Sequence, residues 1–459
     1  MSLWTASEAA AATDGTARGD WSVDGFGIDS RAMERGHMFV ALTAARDGHD
    51  FVRAALDAGA GAALVSRVPE GCEDAPLLLV KDVQAALEAL GRAGRARTGA
   101  TVIAVTGSVG KTSTKEMLRH CLARQGRTHA AIKSYNNHWG VPLTLAAIPA
   151  DADYAVVEIG MNHPGEIAPL AAMAAPHVAM VTTVAPVHLE AFQDGVAGIA
   201  REKASIFTGL ASGGVAIWNA DVGTAAILAE MGTTSFGTGD ADWRLTEIAA
   251  SATATTCAAE TPVGPLTFRI GTPGAHFATN ALAVLAAVHA AGADVARAAL
   301  ALSDWAPPEG RGRRHAVHLA PDAAPVDLID DAYNANPASV GAALDLLAAT
   351  PVSRKARRIA ILGDMKELGP SGPDLHRALA RHPALTDLDV VHTVGPLMRH
   401  LHDALPSDQR GRHADGAEAL AAELKTMVRP GDAVLVKGSL SMKMAGLVAG
   451  LRALGPPEE

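Results

Sequence analysis

Lys111-Thr112 follows the run Thr106-Gly107-Ser108-Val109-Gly110 and precedes Ser113. Residues of those types, in that order, form a cradle for phosphate. Glycines let backbone N–H groups curl around phosphate oxygens. The lysine reaches the terminal phosphates, the threonine hydroxyl sits on Mg²⁺, and the following helix N-terminus adds a favourable dipole. Such a cradle needs a strand to launch it and a helix to receive the chain. Residues 101–105 are mostly β-branched and residues 113–118 have helical composition, so both flanks are present. The spacing is short, because the position six before Lys111 is Val105 and not the glycine of the G-x-x-x-x-G-K-[ST] pattern.

Other chemistry-bearing residues fall at the ends of expected strands. Glu158 closes the strand expected over 154–159, and in open α/β sheets that edge is where ligands bind. A carboxylate beside a phosphate loop is a candidate Mg²⁺ ligand. His188 leaves a strand over 178–184, and Lys203 lies on a helix opened by Asp194. Asn280, near the start of an Ala-rich helix, either caps that helix or donates to a nucleobase. Ser30, Arg31, Arg46, Asp47 and His49 are loop residues near strand ends; they read either as turn chemistry or as a pocket for an anion and a uracil-type ring. Residues 133–145 carry Asn136-Asn137 and then Gly-Val-Pro, and are expected to be loop.

The elements that position these groups form three blocks. Residues 1–98 are a small α/β N-terminal block, with strands near 38–42, 62–66 and 77–80 and a helix over 51–58; Arg92, Arg95 and Arg97 are expected in a linker. Residues 99–312 hold the phosphate loop in a mostly parallel sheet, extended by an antiparallel addition over 233–272. Pro307-Pro308 and the glycines of EGRGRR mark the next boundary. In residues 313–459 strands and helices alternate in a Rossmann-like pattern. It has no G-x-G-x-x-G, so a dinucleotide cofactor is not expected. The fold class is therefore α/β in three domains.

Composition narrows the functions. A formal net charge of −10 argues against broad nucleic-acid binding, which needs a basic face. Aromatics are only 4% of residues, so the Ala-rich helices must pack closely through small side chains. Cys72, Cys121 and Cys257 fit no disulfide framework or metal spacing and read as buried thiols in a reducing compartment. No basic-then-apolar leader and no uncharged apolar run of spanning length is visible. A cytoplasmic, soluble, monomeric protein without membrane insertion is expected.

Taken together, the motifs resemble the Mur ligase family over essentially the whole chain. TGSVGKTSTK (106–115) matches its short phosphate loop. NNHWGVPLTL (136–145), VVEIGMNHPGEI (156–167), HLE (188–190) and IAREKASIF (199–207) match its central domain. DDAYNANPAS (330–339) and LGDMKELG (362–369) are the most specific, and with DSR (29–31) and DGHDF (47–51) they resemble the branch that adds D-alanyl-D-alanine to UDP-N-acetylmuramoyl-tripeptide.

The resemblance implies roles for individual residues. Lys111 is the γ-phosphate lysine, Thr112 and Glu158 hold one Mg²⁺, and His188 holds a second. Lys203 reacts with CO₂ to give a carbamate, which turns a cation into an oxygen donor suited to Mg²⁺. Asn280, Arg311, Asp331 and Tyr333 contact ATP. For the phosphate contact EGRGRR offers both Arg311 and Arg313, and alignment on Gly310 selects Arg311. Ser30, Arg31, Arg46 and Asp47 belong to the UDP end of the substrate, and Asn136 and Asn137 lie nearer its sugar and peptide. Lys437, Gly438 and Ser439 sit where the third block faces the peptide.

The implied reaction is ATP-dependent amide formation through an acyl phosphate. Two rivals are a sister ligase, such as another Mur step or folylpolyglutamate synthase, and a P-loop kinase or nucleotide switch. DDAYNANP and LGDMKELG count against the first. The second has no need of His188, Lys203 or a second Rossmann-like domain.

Overall fold

A computed structural model of the chain describes residues 2–131 and 133–456. The strand Thr101–Thr106 lies inside a nine-stranded sheet. Its order is Leu266–Ile270, Thr255–Glu260, Trp243–Ala250, Thr234–Gly237, Val215–Asn219, Val178–Val181, Thr101–Thr106, Tyr154–Glu158, Thr128–Ala130. From Trp243–Ala250 to Thr128–Ala130 the strands run parallel; the other two add antiparallel. The addition expected over 233–272 is thus antiparallel only in its later strands.

Parallel strands are covered on both faces, and the core shows it. Ile103 and Val105 face one cluster with Met117, Leu118 and the helix Ala275–Ala290. Val102 and Ala104 face the other, with Val141, Ile199 and Ala200. Because every strand of the parallel part ends at the same edge, Thr106, Glu158, Val181 and Asn219 leave the sheet side by side.

The N-terminal sheet has five strands, ordered Thr16–Arg18, Leu77–Leu79, Ala62–Val65, His37–Val40, Gly25–Gly27. After it the chain forms the helix Val83–Arg97, so Arg92, Arg95 and Arg97 are helical and not in a linker. Arg95 donates to the carbonyls of Ala174 and Ala175, and Arg97 donates to that of Leu3 and stacks 4.0 Å from the Trp4 ring. The same helix packs closely on Gly140–Ala146: a Cβ on Gly94 would lie 2.4 Å from the Leu145 carbonyl oxygen. That second helix corrects the expected loop over 133–145 from Gly140 onward. Pro142 falls in its first turn, where the missing N–H has no partner to lose.

The C-terminal sheet is ordered Arg313–Val317, Val326–Asp331, Ala433–Lys437, Arg358–Gly363, Val390–Val394, Arg410–Ala414, with only the first strand antiparallel. The two edge strands are additions to the alternating pattern. RRHAV and RGRHA are too charged to read as strands from sequence. Among the described residues no helix is long and apolar enough to cross a membrane.

Candidate functional site

A cavity of about 520 Å³ lies between the central sheet edge and the C-terminal block. Its floor is residues 108–113, while Thr106 and Gly107 lead into it from outside the lining. Gly107 and Gly110 have φ of +155° and +87°. A Cβ on Gly107 would lie 1.9 Å from Thr182 Oγ1, and one on Gly110 would lie 2.9 Å from Asn280 Nδ2. Glycine is therefore required at both positions. The loop is tied to the neighbouring strand end: Ser108 N–H donates to the Thr183 carbonyl (2.8 Å) and Thr182 Oγ1 donates to that of Val109 (2.6 Å). Lys111 opens the helix Lys111–Leu122, and its ammonium lies back on the Gly107 carbonyl at 2.7 Å.

Thr112 Oγ1 donates to Glu158 Oε2 at 2.9 Å, and Asn136 Nδ2 donates to Glu158 Oε1 at 2.7 Å. Glu158 is 1% exposed, so this is a buried carboxylate with an adjacent hydroxyl. Among the described residues no group of three or more His, Cys, Asp or Glu side chains converges as a metal centre. That donor set fits Mg²⁺, which keeps several waters and takes one or two carboxylates plus substrate phosphates.

The opposite wall comes from the linker and the C-terminal sheet. Arg311 reaches Ser134 Oγ (3.0 Å) and stacks 4.2 Å over the Tyr333 ring. Lys437, 2% exposed, donates to Asp331 Oδ2 (2.6 Å) and to the Asn334 carbonyl (2.9 Å). Burial raises the Asp331 carboxyl above its ordinary range, against the pull of Lys437. Arg313 lies on an edge strand outside this lining, so of the two arginines the cavity holds Arg311.

The electrostatics favour an anion. Burial lowers the Lys111 ammonium, and Arg311 lowers it further. Lys203 is 2% exposed, and its ammonium has no hydrogen bond or ion pair among the described residues. Its pKa falls well below the ordinary lysine value, through burial first and then repulsion from Lys111. Cations crowded in low dielectric are relieved by a polyanion such as a nucleotide triphosphate.

Asn280 stands on the second turn of its helix, whose N-cap is Gly274, so it caps nothing and faces the cavity. Neither His188 nor Lys203 lines the cavity. His188 instead meets Glu367, with Nδ1 2.8 Å from Oε2. Gly438 and Ser439 turn inward: a Cβ on Gly438 would lie 2.6 Å from Met444 Cγ, and Ser439 Oγ accepts from Lys366 N–H at 2.9 Å. The sequence reading missed Ser134, Thr182, Asn219, Asp221 and His276. Asn219 and Asp221 carried a usable signal, since they follow a strand that ends at the ligand edge.

A second cleft, about 940 Å³, separates the N-terminal sheet from the edge strand Thr128–Ala130; Asp24, Phe26, Asp29, His37, Arg127, His129, Lys133 and Tyr135 line it. Ser30, Arg31, Arg46 and Asp47 are not in its lining. Arg31 pairs with Asp29 through two bonds, of 2.9 and 2.7 Å, and holds the Asp29 carboxyl down at about 2. Arg46 stacks on Phe51 at 4.9 Å. Asp47 accepts from the His49 backbone N–H (3.0 Å), from the His49 ring (2.6 Å) and from Arg67 (2.7 Å). Asn137 lies two residues before Trp139, the N-cap of the helix Gly140–Ala146, and its Oδ1 accepts from the Trp139 and Gly140 N–H groups.

Comparison with known proteins agrees with this geometry. The Mur ligase middle domain matches residues 105–288, and the Mur ligase glutamate ligase domain matches 312–440. The UDP-N-acetylmuramoyl-tripeptide–D-alanyl-D-alanine ligase of Escherichia coli is 35% identical, over 95% of both chains. The crystal structure of MurF from Acinetobacter baumannii has a TM-score of 0.82 at 31% identity, covering 98% of this chain and 99% of that one. MurF ligase from Thermotoga maritima, solved in complex with ADP, has a TM-score of 0.77 at 26% identity, covering 94% and 98%. The phosphate loop, the two matched domains and the full-length relatives agree: the chain belongs to the Mur ligase family, in its MurF branch.

Proposed function

We propose that this chain is an ATP-dependent ligase of peptidoglycan precursor synthesis. It joins D-alanyl-D-alanine to UDP-N-acetylmuramoyl-tripeptide and yields the pentapeptide. The observation that carries the reading is the convergence of Lys111, Arg311 and the Thr112–Glu158 pair in one cavity walled by both sheets. A kinase or switch would need only the first sheet.

The terminal carboxylate of the tripeptide attacks the γ-phosphate of ATP, and ADP leaves. Lys111 and Arg311 supply positive charge where it develops on the transferred group. The acyl phosphate is then attacked by the amine of D-alanyl-D-alanine. The tetrahedral intermediate collapses, phosphate leaves with one oxygen of the original carboxylate, and the amine loses a proton. No side chain forms a covalent bond to substrate in this scheme; positioning and electrostatics carry it.

Thr112 and Glu158 would hold one Mg²⁺, and His188 with Lys203 as a carbamate would hold a second. Two such ions, when bound, neutralise charge on the phosphates and the carboxylate. The neutral amine favoured by burial at Lys203 is the form that adds CO₂, losing a proton to become an anionic oxygen donor. Asn280, Asp331 and Tyr333 face the nucleotide.

The blocks 1–98, 99–312 and 313–459 act as UDP-substrate, ATP and ligase domains. Ser30, Arg31, Arg46 and Asp47 serve the UDP end, Asn136 and Asn137 the sugar and peptide, and Gly438 and Ser439 back the peptide wall. The enzyme works as a cytoplasmic monomer. Phosphate release from ATP and Mg²⁺, measured with each substrate alone and together, tests the reading. Release only with both, with the pentapeptide seen by mass, supports it; release with no need for an amine overturns it.

A further inference from the structure

Two of the five non-glycine residues with positive φ among the described residues touch each other. His188 (φ +52°) follows the central strand Val178–Val181, and Glu367 (φ +63°) belongs to the loop after the C-terminal strand Arg358–Gly363. His188 Nδ1 lies 2.8 Å from Glu367 Oε2, across the boundary between the two sheets. The segments approach closely: a Cβ on Gly369 would lie 3.1 Å from Glu190 Cβ. Left-handed backbone is unfavourable for a non-glycine residue and persists where surroundings over-determine it.

The surroundings of Glu367 do that. Asp364, fully buried, accepts from Met398 N–H (2.8 Å) and from the Lys366 ammonium (2.8 Å). The Met365 N–H donates to His376 Nε2 (3.0 Å), and the Lys366 N–H donates to Ser439 Oγ (2.9 Å). The loop is pinned from three sides, and the Glu367 carboxylate is delivered to the imidazole. A carboxylate can only accept, so Nδ1 carries the proton. Nε2 then points away from the carboxylate, with no hydrogen-bond partner among the described residues.

We propose that Glu367 is a positioning residue for His188: it fixes the Nδ1–H tautomer and presents Nε2 as a ligand only while the C-terminal block lies against the central one. The proposal rests on the reading of His188 as a metal ligand. A carboxylate behind a ligating imidazole is a general device for orienting it. Here the carboxylate comes from the other block, so the second metal position is completed by domain contact and not by the central sheet alone. Glu367 itself touches neither substrate nor metal.

The test uses the full-length chain, ¹⁵N-labelled at histidine, with a non-hydrolysable ATP analogue and Mn²⁺. Long-range ¹H–¹⁵N spectra, with His188 assigned from His188→Gln, read the tautomer without metal; Mn²⁺ titration by electron paramagnetic resonance reads the two metal affinities. Wild type is expected to show Nδ1–H at His188. Glu367→Ala should shift it to Nε2–H and weaken the second Mn²⁺ roughly 10-fold or more. Glu367→Gln, which keeps an acceptor oxygen, should recover most of both. Glu367 is 58% exposed, so these variants fold, and equal thermal midpoints check it. A wild-type Nε2–H tautomer overturns the proposal. So does unchanged tautomer and affinity in Glu367→Ala when His188→Ala loses the second Mn²⁺. Two undisturbed Mn²⁺ sites in His188→Ala overturn the ligand reading, and the proposal with it.

Discussion

The central and N-terminal blocks of the molecule use their polar residues in opposite ways. On the central block, side chains are buried with charge left over: Lys111 in the cavity and Lys203 outside its lining both lie in low dielectric with their pKa values pushed down. On the N-terminal block, outside the lining of its cleft except for Asp29, charges are matched within the protein: Arg31 closes on Asp29, and Asp47 closes on His49 and Arg67. Unmet charge marks a place awaiting a ligand. Matched charge marks structure, or a site whose ligand must displace internal partners.

Substitutions should separate the two regions, and the largest effects belong to the central block. Lys111→Ala should lower the rate of amine-dependent phosphate release by roughly 10³-fold with the fold intact by circular dichroism. A loss under 10-fold would remove the cavity's central cation from the chemistry. Lys203→Ala should lose about 10²-fold or more, and short carboxylic acids should restore part of it by supplying the missing oxygen donor. Rescue by no carboxylate, with Mn²⁺ binding unchanged, would count against the carbamate.

A pH series probes two histidines. His276 lines the cavity and His129 lines the cleft, and burial pushes both down to about 4 from 6.5. A depressed folded-state value means the unfolded chain binds the proton first. The stability is therefore fully present above pH 6.5 and is lost as pH falls towards 4. Each ring should contribute on the order of 3 kcal/mol over that window, and His129→Gln should flatten the pH dependence of the denaturation midpoint by that share. An unchanged slope would mean the ring is solvated. The smallest effects belong to the matched charges. Asp47→Ala should lower the thermal midpoint by roughly 2–4 °C while leaving the KM for ATP unchanged. A raised KM for the UDP substrate, beyond that loss, would show that Asp47 also meets ligand.

The same contrast explains what the sequence revealed. The phosphate loop was legible because backbone does its work there, and a backbone cradle demands glycine at fixed places. Glu158 was legible because a strand end at the ligand edge leaves few roles for a buried carboxylate. Helix Val83–Arg97 was misread because Arg95 and Arg97 spend their charge on carbonyls from other segments, a contact visible only after folding. Helix Gly140–Ala146 was hidden by Pro142, whose first-turn position a loop reading cannot distinguish. The N-terminal polar residues were nominated by motif, and motif does not say whether a charge is already paired. Glu367 lay inside a quoted motif, yet its partner His188 sits on a different sheet, and only the packed structure joins them.

The central claim is that the cavity activates a carboxylate by phosphorylation. The most direct test gives the enzyme UDP-N-acetylmuramoyl-tripeptide labelled with ¹⁸O in its terminal carboxylate, together with ATP, Mg²⁺ and D-alanyl-D-alanine, and weighs the released phosphate. An acyl phosphate requires one ¹⁸O atom in each phosphate formed. Phosphate released without the label, while the pentapeptide accumulates, would contradict the account.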